Sequence, residues 1–187
     1  MKRVFLTAGL IAALALVVLA SAVKPGNFAG TWALDKAKSQ GLSPGMMNAD
    51  SVTWTITQDD KTISIDAKVT GGQPAGGGGG TGGGGGMGGG RGMGMGGPRT
   101  YNLDGKEVTS DAGGQMGGSN SMKATWSSDG ATLELSSVRS GNRDGQEFKF
   151  TTTDKLSLSG DGKTLTVNRH SESPRGTQDS TLVFNKQ

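Results

Sequence analysis

An all-β fold, an up-and-down antiparallel meander of about ten strands, is what three features of this sequence predict. Short segments alternate apolar and polar residues. Asp-Gly and related pairs recur between those segments, and each such pair is followed by a fresh alternation: D-D-K-T-I-S-I from Asp59, D-G-A-T-L-E-L from Asp129 and D-G-K-T-L-T-V from Asp161, with D-G-K-E-V-T-S from Asp104 as a weaker copy. Alternation with period two places every second side chain on one face of a strand, so one face can be buried and the other wetted.

The first strand is read at 28–34, F-A-G-T-W-A-L, where Phe28, Gly30, Trp32 and Leu34 share a face. The others follow at 51–58, 61–69, 99–103, 106–110, 121–127, 131–139, 146–159, 163–171 and 177–185. Asp-Gly suits a two-residue turn with positive φ at both central positions, which Asp tolerates and Gly prefers. Counting outward from each pair then gives the register. Around Asp59-Asp60, Trp54 faces Ile65 and Ile56 faces Ile63. Around Asp129-Gly130, Trp126 faces Leu133 and Ala124 faces Leu135. Around Asp161-Gly162, Leu158 faces Leu165 and Leu156 faces Val167. The turn at Asp104-Gly105 pairs Tyr101 with Val108 but sets Lys106 against Leu103. Apolar opposite apolar in three hairpins is a consistent register.

The connections at 35–50, 70–98, 111–120, 140–145 and 172–176 are rich in Gly, Ser, Pro or Asn. They are expected as long loops at one end, with the tight turns at the other. The last strand, carrying Leu182 and Phe184 on one face, is expected to close against the first. Closure removes sheet edges and favours a closed barrel, although a two-sheet sandwich fits the same alternation.

Residues 1–22 read as a secretory signal peptide: Lys2-Arg3, an apolar run from Val4 to Leu19, then Ala20-Ser21-Ala22. Its removal takes away two of 19 basic and none of 16 acidic residues, so the formal charge falls from +3 to +1. A near-neutral exported chain is not built for nucleic acid, and no stable membrane span follows the signal. The absence of cysteine excludes a disulfide framework, a thiol nucleophile and a lipid-anchored N-terminus. Residues 23–187 are therefore expected to form one β domain stabilised by its core, in the periplasm or outside the cell. Within it, 71–97 holds 19 glycines in 27 residues. Such a tract has nothing to bury and is expensive to order; it reads as a disordered insertion. It lacks the strand-to-helix spacing of a phosphate-binding loop. Its methionines, Met87, Met93 and Met95, with Met116 nearby, are read as tolerated in a polar loop. No metal and no cofactor is expected.

Catalytic constellations are missing. His170, the single histidine, alternates with Arg169 and falls on the outward face, with no cysteine to activate. The run S-G-N-R-D-G from Ser140 has serine and Thr151 where a calcium loop needs aspartate and glutamate. The informative residues are two charges on the inward face. Asp154 falls opposite Arg169 in the phase of Leu156, Leu158, Leu165 and Val167. Buried charges require partners, so these two either form a structural ion pair or present Arg169 as an anchor for an anionic head group, with Asp154 orienting it. Arg139 continues the inward phase of Leu133 and Leu135 toward the same end.

The F-A-G-T-W-A-L segment resembles the F-x-G-T-W-x-L start of fatty-acid-binding proteins and the G-x-W signature of lipocalins. The chain from N-F-A-G-T-W-A-L-D-K-A-K-S to L-S-L-S-G-D-G-K-T-L-T-V-N-R and T-L-V-F-N-K-Q resembles secreted bacterial lipocalin-like, calycin-type β-barrel proteins of unassigned function. The resemblance implies a ligand-holding barrel. Two departures limit what transfers: 36–50 carries Gly41, Pro44 and Gly45 where fatty-acid-binding proteins have two helices, and Arg169 is followed by His170 and Ser171 in place of an R-x-Y anchor.

Two functions fit this reading. One is a non-enzymatic secreted or periplasmic barrel binding a small hydrophobic or anionic amphipathic ligand at its loop end. The other is an envelope or surface interaction protein, its core filled by Trp32, Trp54, Trp126, Phe148 and Phe150, with the glycine-rich loop as contact element.

Overall fold

A computed structural model of the chain describes residues 25–71, 98–111, 118–143 and 145–187. The signal-peptide assignment and all but Gly71 of the glycine tract lie outside the described residues. Ten strands run in order: β1 (Gly30–Leu34), β2 (Ser51–Gln58), β3 (Thr62–Thr70), β4 (Arg99–Asn102), β5 (Val108–Asp111), β6 (Ser119–Trp126), β7 (Thr132–Arg143), β8 (Gln146–Leu158), β9 (Thr164–Ser173) and β10 (Gly176–Lys186). They form one antiparallel sheet of order β4-β3-β2-β1-β10-β9-β8-β7-β6-β5 that curls into a nearly closed barrel. The first and last strands pair as expected, with Trp32 opposite Lys186 and Leu34 opposite Phe184.

Closure is incomplete at the opposite wall. The expected hairpin at Asp104-Gly105 forms no ladder among the described residues: Tyr101 pairs with Ile63 on β3, and Val108 pairs with Met122 on β6. β4 instead lies against β6 across a seam. The physical reason is local. Asp104 folds back onto its own turn, accepting from Lys106 N–H at 2.9 Å, and Leu103 N–H donates to Lys61 C=O at 2.8 Å, so the chain leaving β4 stays attached to β3.

At two tight turns the register matches the count. Trp126 opposes Leu133, Ala124 opposes Leu135, Leu158 opposes Leu165 and Leu156 opposes Val167. Both turns are longer than two residues. They share the pattern Ser-x-Asp-Gly-x-Thr at Ser127–Thr132 and Ser159–Thr164. In each the serine N–H donates to the threonine C=O at 2.9 Å, the threonine N–H donates back to serine Oγ at 2.9 Å, and serine Oγ donates to aspartate Oδ1. The glycine sits at φ of 65° or 67°, which a residue without Cβ adopts freely.

The Asp59 turn differs. Its pairs are Ile56 with Ile65, Trp54 with Ala67 and Gln58 with Ile63, two residues away from the expected partners. Asp59 Oδ1 accepts from Lys61 N–H and Thr62 N–H at 2.8 and 2.6 Å, moving the turn centre one residue onward. Moving the centre by one shifts partners by two, so the inward phase survives.

The loop end is also more regular than expected. β7 and β8 continue until Arg143 pairs with Gln146, and β9 and β10 until Ser173 pairs with Gly176, leaving two-residue connections where long loops were read. Residues 36–50 hold one short helix, α1 (Pro44–Asn48), despite the helix breakers: Ser43 caps it through Met46 N–H, and Pro44 occupies the first turn, where a missing N–H does no harm. Met46 and Ala49 are buried beneath the loop end.

The core is one cluster that fills the tight-turn half and continues through Trp54 and Val52 to Met46 and Ala49. Phe28, Trp32, Ile56, Ile63, Leu133, Leu156, Leu165, Val167, Leu182 and Phe184 are all at most 2% exposed. Trp32 Nε1 donates to Phe28 C=O at 2.9 Å, and Gln58 ties the incoming chain through Phe28 N–H and Gly26 C=O. Gly30, at φ 144°, leaves room for Lys186, whose ammonium lies 5.3 Å from the Trp32 ring centroid. Trp126 is half-buried, stacked on Phe28. Phe148 and Phe150 do not fill the core as expected; Phe150 is 46% exposed and tilts against Phe148 on the β7–β8 arm. Their phase was read correctly, but β8 pairs with β9 only from Thr151 onward, so among the described residues 146–150 have β7 alone beside them in the sheet.

Candidate functional site

Along the wall made by β7, β8, β9 and β10, the inward side chains form rows. Nearest the tight turns stand Leu158, Leu165 and Phe184, and above them Leu133, Leu156, Val167 and Leu182. The next row is Leu135, Asp154, Arg169 and Ser180, and the one beyond it Ser137, Thr152, Ser171 and Gln178. Farther still, Arg139 stands opposite Phe150. The interior thus changes from apolar to charged to hydroxyl-lined within three ladder steps.

The charged row contains the sequence-predicted pair. Arg169 Nε donates to Asp154 Oδ1 at 2.6 Å and Arg169 Nη2 to Oδ2 at 2.7 Å, a bidentate fork. Asp154 is buried, and the Arg169 side chain is 11% exposed. Burial works against the Arg169 charge and is the largest influence on it, but the field and hydrogen bonds of Asp154 more than offset it, so the guanidinium pKa lies above its ordinary value. The same guanidinium sits over the Trp54 ring, 5.6 Å from its centroid. Tyr101 comes close from β4. Burial pushes its phenol pKa up, Asp154 adds to that rise, and Arg99 and Arg169 oppose it.

Arg139 shares the inward phase but belongs to neither hydrogen bond of the pair. Its Nε is buried without a hydrogen-bond partner among the described residues, as is Trp54 Nε1. Both orphaned atoms are N–H donors, so what would satisfy them is an acceptor. The sequence count located Asp154, Arg169 and Arg139; it missed Trp54 and Tyr101 as their neighbours. Those contacts cross the barrel, and neither the shifted Asp59 turn nor the absent Asp104 hairpin carried a signal for them.

On the outer face, His170 is half-exposed, as its phase indicated. Its Nδ1 lies 2.6 Å from Asp179 Oδ1 and its Nε2 3.4 Å from Glu172 Oε1. The hydrogen bond to Asp179 is the main cause of an imidazole pKa above the ordinary value. Among the described residues no group of three or more His, Cys, Asp or Glu side chains converges to hold a metal ion, and no helix is long and apolar enough to cross a membrane.

No family model matches the chain, and no curated protein matches it. Among solved structures, zebrafish ileal bile acid-binding protein complexed with cholic acid is similar at 12% sequence identity, covering 86% of this chain and 98% of that one, with a TM-score of 0.45. A likeness at that score carries nothing over to this chain's ligand or residues.

Proposed function

We propose that this is an exported, non-enzymatic binding protein that takes a small anionic amphipathic molecule into the loop-end half of its barrel, in the periplasm or outside the cell. The observation behind this reading is two buried donors on the inward phase without partners among the described residues: Trp54 Nε1, at the Asp154–Arg169 fork, and Arg139 Nε, two rows beyond it toward the loop end. An uncompensated buried donor is costly, and a carboxylate or sulfate supplies the acceptors these groups lack. The apolar end is occupied by the protein's own side chains, so the ligand's polar group, not a long tail, is what the interior selects.

Titration with oleate followed by tryptophan fluorescence tests this. Arg139→Gln removes a charged donor, whose hydrogen bond is worth about 1.5–3 kcal/mol, and should weaken binding roughly tenfold or more. Equal affinity for oleyl alcohol, or unchanged affinity in both Arg139→Gln and Arg169→Lys, would defeat the proposal. The filled tight-turn half favours the second reading, an interaction protein. That reading gains if mass spectrometry of gently purified protein finds no bound amphiphile.

A further inference from the structure

We infer a second binding site, on the outside of the barrel, for a neutral polyhydroxylated molecule the size of a mono- or disaccharide. A cleft of about 410 Å³ lies over the outer face of β8, β9 and β10, walled on one side by Gln40 and Gly41. That volume is within the range of small-molecule sites, about 300–1,000 Å³.

The wall is firmly held. Gln40 and Thr181 exchange backbone hydrogen bonds at 2.8 and 3.0 Å, and Gln178 Nε2 donates to Gly41 C=O at 3.1 Å. Gly41 adopts φ +64°, and a Cβ there would overlap the Asp179 carbonyl oxygen, so only glycine brings the loop this close. The cleft is therefore built into the loop's attachment to β10.

Its lining decides the ligand class. Apart from Gly41, every lining residue among those described is polar or charged, so an apolar ligand gains nothing there. The cations are answered by carboxylates: Lys155 by Glu134 at 3.5 Å, and His170 by Asp179 and Glu172. Arg169 contributes to the floor while its guanidinium is committed to Asp154 inside. A free anion or cation would have to displace these partners. What remains is a mixed set of neutral groups. Asn168 Oδ1 accepts from Thr181 Oγ1 at 3.1 Å, which leaves the Asn168 amide N–H groups as donors and the Thr181 oxygen as an acceptor. The side chains of Gln40 and Thr153 make no hydrogen bond among the described residues and add both kinds. Interleaved donors and acceptors without net charge match a ring of hydroxyls. Among the described residues no aromatic ring lines the cleft, so recognition rests on hydrogen bonds, each modest net of water.

Two-dimensional ¹H–¹⁵N NMR on the full chain, titrated with maltose and with cellobiose, tests this site. At least one sugar should shift the amides of Thr153, Asn168, His170 and Thr181 saturably, with Kd on the order of 1–10 mM. Thr153→Val combined with Asn168→Leu, both on the outer face, should weaken that binding about tenfold, and Gln40→Ala alone should weaken it in the same direction. Inorganic phosphate is the counter-probe. The inference is overturned if neither sugar shifts these amides at about 100 mM, if the variants bind as the parent does, or if phosphate shifts the same amides at lower concentration than either sugar.

Discussion

The two ends of the barrel are made by the same strands and differ in almost everything else. At the tight-turn end, apolar side chains from β1, β2, β3, β7, β8, β9 and β10 interlock around Trp32 and Phe184, and the turns are held by aspartate and serine side chains. At the loop end the inward positions of β7, β8 and β9 are Ser137, Thr152 and Ser171. Asp154 and Arg169 mark the border. The contrast separates two tasks within one sheet: one half supplies the stability that lets the other carry polar groups inward.

Substitutions at the border should have the largest effect. Asp154→Ala leaves the Arg169 guanidinium buried and unpaired, and should cost about 3–5 kcal/mol in denaturant unfolding. Replacing the pair together, Asp154→Leu with Arg169→Met, should be near neutral or stabilising by about 1–4 kcal/mol. A double variant as unstable as the single one would show that the border is more than an ion pair. In the packed half, Leu156→Ala should cost about 2–5 kcal/mol through lost burial and the cavity left behind.

Gly41→Ala strains a positive-φ residue and pushes the loop off β10. A loss of about 1–3 kcal/mol is expected, read as a lower Tm. In the hydroxyl row, Ser171→Ala should stay within about 0.5 kcal/mol. A loss comparable to Leu156→Ala would mean that both halves are equally well packed, and the contrast would fail.

The smallest effect is a titration. His170 has a raised folded pKa, chiefly because of Asp179, so its contribution to stability is fully present below the unfolded value of about 6.5 and disappears as pH rises through the folded pKa. Asp179→Asn should return the His170 titration, followed by NMR, toward that ordinary value.

Much of this architecture was legible in the sequence because period-two alternation and Asp-Gly punctuation are local signals. They gave ten strands, two registers in full, and the Asp154–Arg169 juxtaposition. What was missed was decided by competition at single residues. Asp59 moved a turn centre by capping two amides. Leu103 kept β4 attached to β3, so Tyr101 met Ile63 and not Val108. The ladder from Ser140 to Arg143 carries no local signal, because S-G-N-R has the composition of a loop. Across the barrel no local signal exists at all: nothing in the neighbourhood of Trp54 announces that Arg169 will lie over its ring.

The ladder joining β1 to β10 has a consequence for how the chain acquires its structure. The hairpins with tight turns can form as soon as their own residues are available, because their partners are near in sequence. Trp32 must wait for Lys186, and Leu34 for Phe184. Contacts spanning so much of the chain carry a large loop-closure entropy and slow the search for the native state. Until β10 pairs with β1, both strands present an open edge, which is the stage at which incompletely folded copies can pair with one another. β10 therefore acts as the clasp that joins the first hairpin to the rest of the sheet.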